Sequence, residues 1–158
     1  MPQYLLHTFS LVSWMIKNLA MIYYNSEEIK MPKIQKRKIS QWIKKVAEMH
    51  NYKVGDISYI FCSDEVILRV NREYLEHDYY TDIITFDYTE GDKISGDLFI
   101  SLETVKTNAE KFGTPFEEEL HRVIIHGILH LCGIDDKGPG ERENMEQHEN
   151  EALEVLNF

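Results

Sequence analysis

The chain has 158 residues, with 17 lysines and arginines against 27 aspartates and glutamates, for a formal net charge of −10 with histidine neutral. That length suits one domain with a real core and is short for two. The acidic balance excludes a general nucleic-acid binder, whose phosphate contacts need a broad basic face.

Residues 1–20 are the least readable stretch. Tyr4-Leu5-Leu6 and the run Leu11 to Ile16 are apolar, but no positive charge precedes them and His7, Thr8 and Ser10 interrupt them. Asn18-Leu19-Ala20 is a poor signal-peptidase site, and the run is too short to span a bilayer. The expectation is an N-terminal extension upstream of a true start at Met21, with a single domain over 21–158; Met1-containing peptides in the native protein would contradict it.

Met21 to Asn25 reads as a short first strand. From Lys30 to Lys45 every charge is positive, and Ile39, Trp42, Ile43 and Val46 recur at helical spacing. Two readings of those cations stay open: a solvated helix face, or a local patch for an RNA backbone. Ile57 to Cys62 is β-rich, and Asp64 is a plausible N-cap for a helix through Leu75. His77 and Asp78, in the polar loop that follows, are either proton-transfer or phosphate-contact groups or simply turn residues. Segments 82–88 and 94–101, joined by Thr89-Glu90-Gly91-Asp92, predict an antiparallel hairpin. Residues 102–112 predict a helix that Gly113-Thr114-Pro115 ends. Another starts at Phe116 with Glu117, Glu118 and Glu119 in its first turn, where acidic groups suit the helix dipole. After Gly138-Pro139-Gly140 a last helix runs to about Leu156. It should turn Glu143, Glu146, Glu149, Glu151 and Glu154 to solvent and pack Met145, Ala152 and Val155 inwards. The two cysteines, Cys62 and Cys132, lie in no metal-ligand spacing, which fits a reduced, cytoplasmic chain. Cys132 falls about 200° round the helix from His130, which turns it towards the core.

The chemistry concentrates between His126 and Asp136. His126 and His130 stand one helical turn apart, so both imidazoles leave one face of a helix whose apolar stripe is Leu120, Val123, Ile124, Ile128 and Leu131. Gly133 can take the positive φ that ends a helix and lets Asp136 swing back towards the histidines. The pattern His-x-x-x-His-x-x-Gly-x-x-Asp is the ligand spacing of metzincins. It leaves the fourth position of a tetrahedral zinc open, as in catalytic sites. The peptidase general base that would follow the first histidine is missing, because that position is Gly127. Ordinary peptide hydrolysis is thereby disfavoured, while zinc could still activate water for another substrate.

Residues 126–136 resemble the signature of the YbeY endoribonucleases, His-Gly-x-Leu-His-Leu-x-Gly-Tyr-Asp-His. Asn71-Arg72-Glu73-Tyr74 through Asp78, then Thr81-Asp82-Ile83-Ile84-Thr85-Phe86, resemble a second block of that family. Gly96-Asp97-Leu98-Phe99-Ile100-Ser101 resembles a third. The likeness runs from about Met21 to the C-terminus. It implies a single-metal, single-strand-specific endoribonuclease that matures rRNA 3′ ends and serves ribosome quality control, with the ribosome or a small-subunit precursor and its assembly proteins as partners, in the cytoplasm and off the membrane. Two positions depart from the family. Asp136 stands where the third ligand is usually histidine; aspartate is an accepted zinc ligand, though its charge should leave bound water less acidic and widens the choice of metal. Leu75 stands where the family carries an arginine, and Arg72, one turn earlier, is either its substitute or a surface residue.

The resulting expectation is an α+β fold, a small mixed β-sheet packed with helices including a zincin/metzincin-like metal helix. His126, His130 and Asp136 would hold one Zn2+ for RNA hydrolysis, with no residue readable as general base. A non-catalytic ribosome-assembly factor with a structural metal is the alternative, and a metallopeptidase the third reading.

Overall fold

A computed structural model of the chain describes residues 20–76 and 81–156, so residues 1–19 of the expected extension, and the candidates His77 and Asp78, lie outside the described residues. The elements are β1 (Ile22–Glu27), α1 (Lys36–Met49), β2 (Lys53–Cys62), α2 (Asp64–Leu75), β3 (Ile83–Asp87), β4 (Lys93–Ser101), α3 (Leu102–Phe112), α4 (Phe116–Leu131) and α5 (Glu141–Glu154). The strands form one sheet in the order β1-β2-β4-β3. β2 runs parallel to both β1 and β4, and β3 is antiparallel to β4. The mixed sheet and the β3–β4 hairpin match the sequence expectation.

Alternation in the strands assigns the two faces. Ile57, Tyr59 and Phe61 of β2, with Ile94, Leu98 and Ile100 of β4, are fully buried beneath α1, α4 and their neighbours. The other face is covered by α2, whose Val66, Ile67 and Val70 form a smaller cluster with Ile84. On α1 the apolar stripe works as its spacing predicts: Ile39, Trp42, Ile43, Val46 and Ala47 are buried, each large side chain contributing roughly 1.5–3 kcal/mol. Lys30, Lys33, Lys36, Arg37, Lys38, Lys44 and Lys45 are all exposed. One helix start differs from the expectation: Ser63, not Asp64, caps α2, its hydroxyl accepting from the Val66 N–H at 3.3 Å. Both residue types can cap, and the helix begins one residue earlier than the charge suggested.

Three contacts hold the two helices that matter most below. The Tyr59 hydroxyl donates to the Ile124 carbonyl at 2.9 Å, tying α4 to the sheet. Trp42 Nε1 donates to the Ala152 carbonyl at 2.8 Å, tying α5 to α1. The third is a close approach: a Cβ placed on Gly127 would lie 2.9 Å from both Ile83 Cδ1 and Leu98 Cδ2. Glycine lets α4 settle directly onto β3 and β4. Among the described residues no helix is long and apolar enough to cross a membrane.

Candidate metal centre

The α4 helix ends as the sequence predicts, and its ending builds the site. Gly133 takes φ +85°. Its N–H donates to the His130 carbonyl at 2.9 Å, and the Ile134 N–H donates to the Leu129 carbonyl at 3.1 Å. These are the paired bonds of a Schellman ending. The chain therefore turns back over the last turn of α4 and returns Asp136 to the face that carries His126 and His130.

All three residues meet. Asp136 Oδ2 lies 3.3 Å from His126 Nε2 and 3.4 Å from His130 Nε2. The imidazole rings stand edge to face, their centroids 4.6 Å apart. Donor atoms about 2.0–2.1 Å from a tetrahedral ion stand about 3.3–3.4 Å apart along its edges, so both printed separations suit a shared ion. Asp136 Oδ1 is buried without a hydrogen-bond partner among the described residues. An unmatched carboxylate oxygen is costly in a partly buried site, and a cation is one group that would satisfy it. The donor set, two imidazoles and one carboxylate, suits zinc and also harder divalent ions. Cys132 takes no part. It lies in the core, and burial pushes its thiol up to about 12.

The last helix corrects an expectation. Glu143, Glu146, Glu151 and Glu154 are exposed as predicted, but Glu149 is buried. Its Oε2 lies 2.6 Å from His126 Nδ1. An ionised carboxylate only accepts, so Nδ1 carries a proton, which leaves Nε2, the ring atom nearest Asp136 and His130, as the one that could serve a cation. Glu149 Oε1 in turn accepts from Arg122 at 3.0 Å, and Arg122 also donates to Asn150 Oδ1 at 2.9 Å. A chain of charge-assisted bonds thus runs from α5 through α4 to the candidate ligands. Burial alone would lower the pKa of His126, but its bond to Glu149 and the charges of Glu149, Asp136 and Asp82 together raise it above its ordinary value.

His126, Asp136 and Glu149 line a cavity of about 640 Å3 with Asp82, Glu118, Glu119, Arg122 and Arg142 among its walls. Asp82 enters at the start of β3, where its carbonyl accepts the Ser101 N–H at 2.9 Å. Burial raises the Asp82 pKa against the lowering pull of His126 and of its hydrogen bonds. Glu119 is also raised, chiefly by burial, against the pull of Arg122. Arg72 is not on this wall. It lines a separate hollow with Glu28, Arg69 and Glu73, while Leu75 ends α2, 39% exposed. The structure thus places no residue of the Arg72–Leu75 turn among the lining of the His126 cavity.

Comparison with known proteins points one way. The family model described as endoribonuclease YbeY matches residues 22–157. An endoribonuclease YbeY of Parabacteroides distasonis is 71% identical over 138 residues, 87% of this chain and 96% of that protein. One from Phocaeicola vulgatus is 66% identical over 87% of this chain and all of its own length. Among solved structures, the solution structure of a Thermotoga maritima protein is similar at TM-score 0.60 and 28% identity, covering 85% of this chain and 90% of its own.

Proposed function

The chain belongs to the endoribonuclease YbeY family, and from that premise we propose that it is a metal-dependent endoribonuclease whose centre is His126, His130 and Asp136. The observation that carries the metal reading is the convergence of two Nε2 atoms on one Asp136 oxygen at 3.3 and 3.4 Å. A bound divalent ion, which we assign as one zinc, would supply Lewis acidity towards a phosphoryl oxygen and lower the pKa of water. Glu149 holds His126 in the required tautomer, and Arg122 holds Glu149. The Asp136 carboxylate supplies the one negative charge in the donor set, which offsets part of the ion's charge and suits phosphodiester hydrolysis at neutral or mildly alkaline pH. The substrate we assign is unpaired rRNA, cut during 3′-end maturation and ribosome quality control in the cytoplasm, in contact with small-subunit precursors and their assembly proteins.

Neither alternative is favoured. A peptidase needs a carboxylate where Gly127 packs on Ile83 and Leu98. A purely structural metal fits poorly with three candidate ligands, two of which, His126 and Asp136, line a cavity, rather than four closing a site. The test is purified protein with quantified metal, beside His126→Ala and Asp136→Ala, incubated with single-stranded RNA and with a peptide pool, with and without chelator. Stoichiometric zinc with RNA cleavage lost in both variants and on chelation is expected. Tight zinc with intact RNA would overturn the nuclease reading.

A further inference from the structure

The cavity beside His126 has a second wall that the metal centre leaves unused. Phe112 closes α3 and lines this cavity, yet the residue is 58% exposed. Asn108 lines it one helical turn earlier. Thr114, in the turn after α3, brings a buried hydroxyl with no hydrogen-bond partner among the described residues. Arg142, in the first turn of α5, lines the same cavity. It is exposed and makes no ion pair or hydrogen bond among the described residues. The other guanidinium on the cavity, Arg122, is committed to Glu149 and Asn150.

Charge decides what this wall can do. Apart from the two arginines and the candidate metal ligands, the ionisable lining is all carboxylate: Asp82, Glu118, Glu119, Glu146 and Glu149. A polyanion entering so acidic a cavity is repelled unless a cation meets it. Arg142 is the lining cation whose fork of donors has no partner of its own, and that fork matches phosphate geometry. The open face of Phe112 already attracts a cation, with Lys111 Nζ 5.9 Å over the ring. A flat aromatic ring beside a cation is the platform on which a nucleobase stacks. Only an unpaired base has a free face to offer, because bases within a duplex are stacked on both sides.

We propose that Arg142 and Phe112 form an RNA subsite on the wall of the metal cavity, Arg142 holding a backbone phosphate and Phe112 stacking one unpaired nucleobase. This deepens the endoribonuclease reading and rests on it. Arg142 supplies positive charge within the cavity, and Asn108, one turn before Phe112, offers a polar edge to the stacked base.

The test measures binding of a fluorescently labelled single-stranded RNA to the full, metal-loaded chain over a range of salt, with cleavage followed in parallel. Arg142→Ala should weaken binding about tenfold, and the slope of log affinity against log salt should shrink by about 0.7. Arg142→Lys should restore most of that slope. Phe112→Ala should weaken binding roughly tenfold with the salt slope unchanged, and Phe112→Tyr should bind as the parent does. An RNA made abasic throughout should bind the parent and Phe112→Ala equally. Metal content should be unaltered in all four variants. Parent-like binding and salt slope in both alanine variants would overturn the subsite while leaving the endoribonuclease reading intact. RNA bound in the expected pattern but never cut would support the subsite and overturn the nuclease reading.

Discussion

Two hollows of nearly equal size open on this fold, about 640 Å3 beside His126 and about 670 Å3 between the end of β1 and α2. Volume does not separate them. The second is lined by Glu28, Glu65, Arg69, Arg72 and Glu73, all exposed, and its Arg69–Glu28 pair, 3.2 Å apart, leaves both side chains about half exposed. Such a pair is screened by water and is worth little. In the first, Glu149 is only 8% exposed and joins His126 to Arg122 through bonds of 2.6 and 3.0 Å. The difference is one of wiring: polar groups that are buried and held from two helices keep a fixed geometry, whereas a pair screened by water is held far more weakly.

That contrast can be broken most severely at the donors. His126→Ala and Asp136→Ala should each lose bound metal and cut RNA cleavage by about 10^3-fold or more, since a metal contributes several kcal/mol to such chemistry. Metal analysis with single-turnover cleavage checks this. One step out, Glu149→Ala should weaken metal affinity about 10–100-fold, read by chelator competition, with Glu149→Gln intermediate because it still accepts from Nδ1. A parent-like affinity in Glu149→Ala would show that the wiring is ornamental.

A pH experiment sharpens the same point in metal-free protein. His126 has a folded pKa raised above 6.5, after its bond to Glu149 and the nearby carboxylates overcome burial. A raised folded pKa contributes stability that is fully present below the unfolded value and fades as pH rises through the folded one. The melting temperature of the parent relative to Glu149→Gln should therefore be higher at pH 5.5 than at pH 8.5. An unchanged difference would mean that the imidazolium and Glu149 are not coupled. The smallest effect belongs to the other hollow. Arg69→Ala and Arg72→Ala should shift stability by no more than ~0.5 kcal/mol and leave cleavage within about twofold, measured by denaturant titration and steady-state rates.

The elements and the three converging donors were legible because both rest on short spacings: histidines four positions apart, a glycine three beyond, period-two strands. Glu149 was not, because an acidic run reads as a solvated face. A signal did exist. Met145, Glu149 and Ala152 fall at i, i+4 and i+7, so the carboxylate sits within the buried stripe, where it requires a partner. What could not be read was which partner, since His126 is 23 residues away and meets α5 only through the packing of α4 and α5. Arg142 is of the same kind: its position in the first turn of a helix says nothing of the cavity it borders.

The seat of α4 on the sheet also bears on descent. Two of the four glycine codons lie a single base change from a glutamate codon, so a His-Glu-x-x-His helix looks one mutational step away at position 127. Here that step would drive a carboxylate between Ile83 and Leu98, atoms already 2.9 Å from where its Cβ would begin. The fold would suffer before any new base could serve. A lineage starting from this chain could reach peptide hydrolysis through that position only after first repacking the β3–β4 hairpin, an order of events that the sequence motif alone does not suggest.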